Sequence, residues 1–207
     1  MQALDRKSLP YASCYCEENV RQASLDPRLS SRPRAVVLIT NERKTAAVFS
    51  QRSAEVGQPA VWDYHVILVV ADPDLAVIDL DSTLPLPCPL AAYVDEALAP
   101  TLHLPSALRP RFRVAAGDVY AERLWTDRSH MRRTDGSWIQ PPPEWDAPLP
   151  SNGVPLAEWI DLESDAPGEV VQLPELVEAI ERSLAARRST RSESTRSIGA
   201  RPQTKPA

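Results

Sequence analysis

The feature that most constrains this chain is an apolar stretch in its first half. Val66 to Ala71 is an uninterrupted run of β-branched and aliphatic residues, and together with the residues before it predicts one long buried strand over residues 60–71. The run ends at Asp72-Pro73-Asp74, which is a strong turn signal. Residues 75–81 then predict a returning strand. The chain is therefore expected to be organised around this antiparallel pair.

A single histidine interrupts the apolar strand. If the chain turns at residues 72–74, His65 and Asp79 face each other across the two strands, close enough for the carboxylate to hold a ring nitrogen. Asp79 lies among apolar residues, where a buried carboxylate needs a partner. A shift of one residue in register would turn Asp79 to the other face. A lone histidine on an apolar strand is more often a structural core residue than a catalyst, so both interpretations stay open at this point.

A thiol lies at the predicted start of a helix. Residues 11–23 predict a helix start with Ser13 as the N-cap and with Glu17 and Glu18 in the first turns. Cys16 would then lie near unsatisfied backbone N–H groups, which lower the pKa of a thiol, although the two glutamates oppose that shift. Thiol, histidine and carboxylate form the set that cysteine hydrolases use. A structural cysteine and a core histidine remain the alternative.

The rest of the chain shows a mixture of predicted strands and helices. Proline is frequent at 21 residues and glycine scarce at 6, so many connections should be stiff. The predicted elements are a hairpin of strands 35–40 and 45–50, helix 90–99, strand 111–115, helix 118–125, an extended covering segment 138–145, helix 156–160 and a final helix 174–187.

Composition sets the domain organisation and the type of partner. A chain of 207 residues is long enough for one domain with a substantial core, which we expect over residues 1–186. Residues 187–207 are rich in Ser and Thr and contain six basic residues and one acidic residue. This composition predicts a disordered basic tail. The remainder carries a net charge of about −10, which argues against nucleic acid as the main partner.

Cysteine content and hydropathy bear on location. No apolar run of membrane length and no secretory leader follow Met1, so no membrane partner is expected. The three cysteines form no disulfide framework, and this favours a reducing, cytoplasmic setting in which a thiol is available.

Three motifs carry a family resemblance. Ser-Cys-Tyr-Cys-Glu-Glu-Asn at residues 13–19, Trp-Asp-Tyr-His-Val at 62–66 and Asp-Leu-Asp at 79–81 together resemble the protein N-terminal glutamine amidohydrolase family, named for its WDYHV motif. Further agreement runs in order between residues 11 and 160, at residues 41–44, 84–88, 111–114, 127–131 and 141–143. Residues 161–186 match weakly, and the tail lies outside the resemblance.

The resemblance implies a fold and a chemistry. The family is a compact α+β cysteine hydrolase related to transglutaminase and papain-like enzymes, with an antiparallel sheet and the nucleophile at a helix N-terminus. It removes ammonia from the side chain of an N-terminal glutamine, leaving glutamate and, in the family, a degradation signal. Carried over by motif, Cys16 is the nucleophile, His65 the general base and then acid, and Asp79 the orienting carboxylate. No metal or organic cofactor is implied.

The partner is then a protein or peptide with a free N-terminal glutamine, bound by a monomer. Its cationic α-amine needs acidic or carbonyl partners. Four acidic side chains are candidates, and Glu17 and Glu18 are preferred because they adjoin the nucleophile; the other two are Asp63 and Asp127. Tyr15 and Trp62 are further substrate-binding candidates, although aromatic residues there are more often core.

Several residues have competing interpretations. Cys14, Cys16 and His130 could bind a metal, but a Cys-x-Cys pair without a second close pair is a weak zinc signal. We therefore interpret Cys14 as a small buried hydrophobic residue and Cys88 as structural. His130 is interpreted as part of a hydrogen-bonded loop or as a pocket wall.

The same triad fits other reactions. A transglutaminase-like acyltransferase or a cysteine peptidase would use it on other amides. An inactive scaffold that binds protein N-termini is the alternative outside enzymes.

Overall fold

A computed structural model of the chain describes residues 4–71 and 73–186. The strands are β1 Arg34–Thr40, β2 Ala46–Val48, β3 Ala60–Trp62, β4 Tyr64–Ala71, β5 Leu75–Ile78, β6 Cys88–Pro89, β7 Arg111–Ala116, β8 Leu124–Trp125, β9 Val154–Pro155 and β10 Glu169–Val171. The α-helices are α1 Cys16–Leu25, α2 Pro27–Ser30, α3 Leu90–Tyr93, α4 Gly117–Arg123, α5 Leu156–Trp159 and α6, residues 176–186. This is an α+β fold, as the sequence predicted.

Six strands form the main sheet, in the order β10-β7-β1-β4-β5-β6. Every neighbouring pair in it is antiparallel. All eight residues of β4 are buried, because a strand in the middle of the sheet is covered on both faces. Two short pairs, β2-β3 and β8-β9, lie apart from this sheet.

Alternate residues of β4 enter two different cores. Ile67 and Val69 pack into a cluster with residues of α3 and α6, whereas Val66 and Leu68 pack into a cluster that includes Val20 of α1. The period of two in a strand produces this division. Helices therefore cover both faces of the sheet, with α1 and α6 on opposite sides.

The predicted strand over residues 60–71 is wrong in one respect, since it is broken at Asp63. β3 pairs with β2, while β4 pairs with β1 and β5. Asp63 Oδ1 accepts the next backbone N–H, that of Tyr64, at 2.9 Å, and Thr40 Oγ1 donates to the Asp63 carbonyl at 2.7 Å. These bonds replace strand pairing at the bend.

The predicted pair of strands after this bend is confirmed. β4 and β5 are antiparallel, with Ala71 opposite Leu75 and Leu68 opposite Ile78; Asp72, in the predicted turn, is outside the described residues. The register lies within the predicted range but is two residues from direct pairing of His65 with Asp79. Continued past Ile78 it would put Asp79 opposite Ile67, so the carboxylate meets His65 diagonally. Both side chains remain on one face, since the shift is by an even number of residues.

Other predictions fare differently. The hairpin of residues 35–40 and 45–50 is wrong, because β1 pairs with β4 and β7 and β2 with β3. Helix 90–99 is α-helical only in α3, followed by a π-helical turn over Val94–Leu98 and a 3-10 segment over Ala99–His103. Strand 111–115, helix 118–125 and the final helix correspond to β7, α4 and α6.

No helix among residues 4–71 and 73–186 is long and apolar enough to cross a membrane. The predicted basic tail, residues 187–207, lies outside the described residues.

Candidate active site

One cavity brings the sequence-predicted thiol and histidine together. It has a volume of about 580 Å³ and opens between the start of α1, the bend before β4 and the 3-10 turn Ser129–Met131. Its lining residues are Tyr11, Ser13, Cys14, Cys16, Arg52, Ser53, Trp62, Asp63, Tyr64, His65, Asp81, His130, Met131 and Ile139. A second concavity of about 530 Å³ lies between Leu75, Pro87, Leu90 and Val177, and Asp74 is its one ionisable lining residue.

Cys16 is the first residue of α1 and is half-buried. The predicted N-cap Ser13 is wrong: Tyr15 holds that position and makes no side-chain cap. The approach to the helix is instead fixed by Asn19, whose amide accepts from the Ala12 N–H and donates to the Ala12 carbonyl, both at 2.8 Å. The prediction of a thiol at a helix start is therefore correct, although Asn19 rather than a Ser13 N-cap fixes the start of the helix.

The two other cysteines separate in the structure. Cys14 is exposed, with a left-handed backbone (φ 65°), and lines the cavity. Its interpretation as a buried hydrophobic residue is thus wrong, because the turn into α1 directs it outward. Cys88 is buried in the core, as expected of a structural residue.

His65 and Asp79 form a buried hydrogen-bonded pair. Nε2 of His65 lies 3.1 Å from Asp79 Oδ1, and both side chains are at most 2% exposed. Asp79 also accepts from Gln51 Nε2 at 3.1 Å, Tyr93 OH at 2.8 Å and the Asp81 N–H at 3.0 Å. The carboxylate is therefore fixed on several sides, and it fixes one nitrogen of the imidazole.

This environment stabilises the charged forms of both members. Burial favours a neutral Asp79, but the charge and hydrogen bond of His65, with the bonds from Gln51 and Tyr93, lower the pKa of Asp79 to about 2. Burial likewise opposes a charged His65, and the Asp79 carboxylate overcomes this, so that the pKa of His65 is raised. The pair can accept and hold a proton on the imidazole.

Trp62 packs on the imidazole from the β3 side of the bend. The two rings are stacked, with centroids 5.6 Å apart and planes inclined by 17°. The break at Asp63 places this ring over the imidazole three residues later, so Trp62 restrains the orientation of His65.

The thiol and the imidazole approach from opposite faces of the main sheet. α1 packs on the face of β4 that carries Val66, whereas His65 is on the other face. β5 pairs with β4 only up to Leu68, so the edge of the strand is open beside its first four residues. The Val66 backbone N–H, which lies on β4 beside this edge, works to lower the pKa of the Cys16 thiol. Cys16 and His65 line the same cavity.

The predicted lowering of the Cys16 pKa is wrong. Burial raises the pKa of the thiol well above its usual value, and the charges of Glu17, Asp81 and Asp63 add to the effect. The Val66 N–H works in the opposite direction but does not outweigh them. The resting site thus holds a thiol rather than a thiolate.

Glu17 and Glu18 have different environments, although both are fully buried. Glu18 forms a two-point ion pair with Arg128 (2.7 and 2.8 Å) and accepts from Trp145 Nε1 at 2.7 Å. Glu17 has no such cation: its Oε2 accepts from Tyr64 OH at 3.0 Å. Burial raises the pKa of Glu17 to about 8.

Three predicted substrate-binding residues lie behind the cavity wall. Tyr15 is fully buried and donates its hydroxyl to the Gln140 carbonyl at 3.1 Å. Glu18, held by Arg128, is likewise absent from the lining, as is Glu17, whereas Trp62 does line the cavity. Neither Tyr15 nor Glu18 is carried into the function proposed below.

Some site residues escaped sequence reasoning. Gln51 reaches Asp79 because Gln51 and Ser82 form an isolated β-bridge, which no local periodicity signals. The sequence predicted Tyr93 only as a residue of helix 90–99, with no indication that its hydroxyl reaches Asp79. Arg52 and Tyr11 line the cavity with the guanidinium 5.9 Å from the ring centroid. Long-range packing assembled these contacts.

Three potential metal ligands are close together. His65, Asp79 and Asp81 offer donor atoms within 4.8 Å of one another. Each already has a protein partner: the first two bond to each other, and Asp81 Oδ1 accepts from Tyr11 OH at 2.6 Å. We therefore interpret these three side chains as hydrogen-bonding residues of the site rather than as metal ligands.

These features define an α+β protein in which a thiol and a histidine line one cavity, with the histidine hydrogen-bonded to a buried aspartate. The family model described as N-terminal glutamine amidase matches residues 11–180. The chain is 36% identical to the protein N-terminal glutamine amidohydrolase of Danio rerio over 181 residues, 81% of this chain and 87% of that protein. The Drosophila melanogaster protein of the same name is 37% identical (81% and 86%), and that of Bos taurus 34% (83% and 87%).

The chain therefore belongs to the N-terminal glutamine amidase family, and it is a hydrolytic enzyme.

Proposed function

We propose that this enzyme deamidates the side chain of an N-terminal glutamine on proteins or peptides, leaving glutamate and releasing ammonia. One observation carries the proposal beyond family membership: Cys16 lines the same cavity as His65, which Asp79 holds at 3.1 Å. An amide carbon seated between them meets a nucleophile and a proton carrier together.

The first half-reaction forms a thioester. Because the pKa of Cys16 is raised, the thiol keeps its proton until His65 removes it as the sulfur attacks the carboxamide carbon. Asp79 occupies Nε2 of His65, which assigns Nδ1 to this transfer and stabilises the imidazolium. The tetrahedral intermediate then breaks its C–N bond, and His65 gives the proton to the departing ammonia.

The second half-reaction reverses the roles. Water attacks the thioester carbon while His65 accepts a proton from it. The C–S bond breaks, the sulfur recovers the proton, and glutamate is released. No oxidant, metal or organic cofactor is needed for this balance.

The oxyanion of both intermediates is assigned to backbone donors. The N–H groups of the first helical turn have no partner within the helix, and Cys16 begins α1. Its own N–H is therefore placed to stabilise charge that develops next to Sγ.

We assign the substrate α-amine to Asp63. Two carboxylates line the cavity, Asp63 and Asp81. Asp81 is bonded to Tyr11, over which Arg52 lies, so a cation there would meet another cation. Asp63 uses Oδ1 for the Tyr64 N–H, and among the described residues its Oδ2 has no hydrogen-bond partner. That oxygen suits an ammonium group.

The experiment compares four peptides that begin with Gln, with Asn, with N-acetylated Gln, or that carry Gln internally. We expect ammonia release only from the peptide with a free N-terminal Gln. Its product should be about 1 Da heavier, because an amide becomes an acid. Cys16→Ala should abolish turnover, whereas Cys14→Ala should keep most of it. Turnover of internal Gln, incorporation of an added amine or backbone cleavage would contradict the proposal and indicate a different amide or acyl-transfer reaction.

A cytoplasmic, monomeric enzyme is the accompanying prediction, and size-exclusion chromatography with light scattering measures its second part.

A further inference from the structure

Among residues 4–71 and 73–186, the carboxyl group of Glu17 is the one ionisable group that contacts the nucleophile and has no place in the mechanism above. Its side chain is fully buried, and its Oε2 lies 3.8 Å from Cys16 Sγ, a distance at which the thiol donates to it. The same oxygen accepts from Tyr64 OH at 3.0 Å. A group that touches the reacting sulfur affects its charge directly.

The second oxygen of Glu17 has no hydrogen-bond partner in the described part of the chain. Oε1 is buried and unpaired, and Nε2 of His130 is the nearest basic atom, at 3.6 Å. His130 lies on the cavity wall with a third of its side chain exposed. An unpaired buried carboxylate is costly, so the site favours a proton on this oxygen, directed at the imidazole.

The other groups around Glu17 do not neutralise it. On its own helix, Cys16 and Glu18 are its neighbours, and Glu18 is anionic and paired to Arg128. Tyr64 from β4 donates one bond, and Tyr120 from α4 donates to the backbone carbonyl of Glu17 at 3.3 Å. Arg128 is thus committed to the neighbouring glutamate.

We propose that Glu17 is a further catalytic residue: its buried carboxyl group keeps its proton, stays uncharged, and holds the Cys16 thiol for attack. A full negative charge 3.8 Å from Sγ would oppose the thiolate and the oxyanion that form in the reaction. Neutral Glu17 removes that charge while its Oε2 still orients the thiol. This role rests on the proposed function.

The consequence is a specific pH dependence. Since Glu17 titrates at about 8, kcat/KM should fall as the pH rises through that value, when the carboxylate forms beside the sulfur. In Glu17→Gln the side chain stays uncharged, so this alkaline limb should move up by about one pH unit or more. At neutral pH, where the carboxyl group of Glu17 is already uncharged, the variant should stay within about tenfold of wild type in kcat/KM.

Alkylation of Cys16 tests the idea without a substrate. The rate of reaction with iodoacetamide, followed by peptide mass spectrometry against pH, reports thiolate formation. Its midpoint should be lower in Glu17→Gln by about one unit, whereas exposed Cys14 in the same samples should react with an unchanged profile. Glu169→Gln is the control, an exposed glutamate paired to Arg182 far along the chain, and should leave the Cys16 midpoint in place.

Tyr64→Phe provides a second variant if Glu17→Gln does not fold. The lost hydroxyl had favoured the charged form of Glu17, so its alkaline limb should also move up. The proposal is overturned if the Cys16 alkylation midpoint is the same in Glu17→Gln as in wild type, or if Tyr64→Phe moves the limb down. Absence of ammonia release by the wild-type enzyme would instead overturn the proposed function. The alkylation experiment would still test whether Glu17 controls the charge of Cys16.

Discussion

At the scale of single residues, the site depends on how each ionisable side chain is partnered. Asp79 has four hydrogen-bond donors around it, and its pKa is correspondingly low. Glu17 has one strong donor and no cation, and its pKa is high. Two buried carboxyl groups near one cavity thus take opposite protonation states at neutral pH.

Asp79→Asn should lower kcat by at least about 100-fold, because an amide no longer stabilises the imidazolium or fixes its tautomer. The Asp79 charge raises the pKa of His65, so its loss should also move the acid limb of kcat/KM to lower pH. A pH–rate profile measures both effects. Tyr93→Phe removes one donor to Asp79 and is the milder control, and an unmoved acid limb in Asp79→Asn would contradict the assignment of His65 as the base.

Asp63→Asn should weaken recognition of the free α-amine. We expect kcat/KM for a Gln-initiated peptide to fall by roughly tenfold or more, mainly through KM, because the ammonium loses its counter-charge. Steady-state kinetics measure this loss.

Asp127→Asn is the matched control, since Asp127 bonds to the Ser129 N–H at 2.9 Å and does not line the cavity. An equal effect of both substitutions, or an effect on kcat alone, would assign the α-amine elsewhere.

At the scale of elements, α1 is the piece that connects chemistry with stability. Its first residue is the thiol, and its next two residues are buried carboxyl groups. Glu18 ties the helix to the irregular segment that contains Arg128 and Trp145. That segment also forms the cavity wall at His130, so one ion pair positions both sides of the cavity entrance.

Glu18→Gln should destabilise the fold by about 3 kcal/mol, because it leaves the buried Arg128 charge without its counter-ion. Urea unfolding followed by circular dichroism measures the change. Glu169→Gln breaks the exposed pair with Arg182 and should cause no measurable loss, because exposed pairs are screened by solvent. Equal stability of the two variants would show that the Glu18 pair does not hold α1 in place.

At the scale of the whole molecule, the two anomalous carboxyl groups set the pH dependence of stability. The pKa of Glu17 rises from 4.5 to about 8 on folding, so its contribution is fully present below about pH 4.5 and is lost as the pH rises through 8. The pKa of Asp79 falls from 3.8 to about 2, so its contribution is present above 3.8 and is lost toward pH 2. Of these two carboxyl groups, Glu17 is the one that acts between pH 5 and 8.

The free energy of unfolding of wild type should therefore fall relative to that of Glu17→Gln as the pH rises from 5 to 8. Urea titrations of both proteins at several pH values across this range measure the difference. A difference that stays constant with pH would mean that Glu17 titrates normally in the folded protein.

The local signals in the sequence predicted the parts of the site that depend on neighbouring residues. The apolar run gave β4, the turn residues gave the return of the chain through β5, and parity along the strands put His65 and Asp79 on one face. The motifs at residues 13–19 and 62–66 gave the family and its candidate thiol. The predictions were wrong where pairing with distant residues decides the structure, as for the strand partners of β1 and the break at Asp63.

What the sequence by itself determined was the identity of the thiol, the histidine and the carboxylate, because periodicity and motif spacing are properties of short stretches. Only the tertiary structure decided that the first residues of β4 lack a partner on the β5 side and that Cys16 of α1 and His65 line one cavity. It also separated Glu17 from Glu18, which look alike in sequence, since burial and the choice of a cation depend on residues more than 100 positions away. Burial then decided that Cys16 rests as a thiol, a charge state that no local pattern encodes.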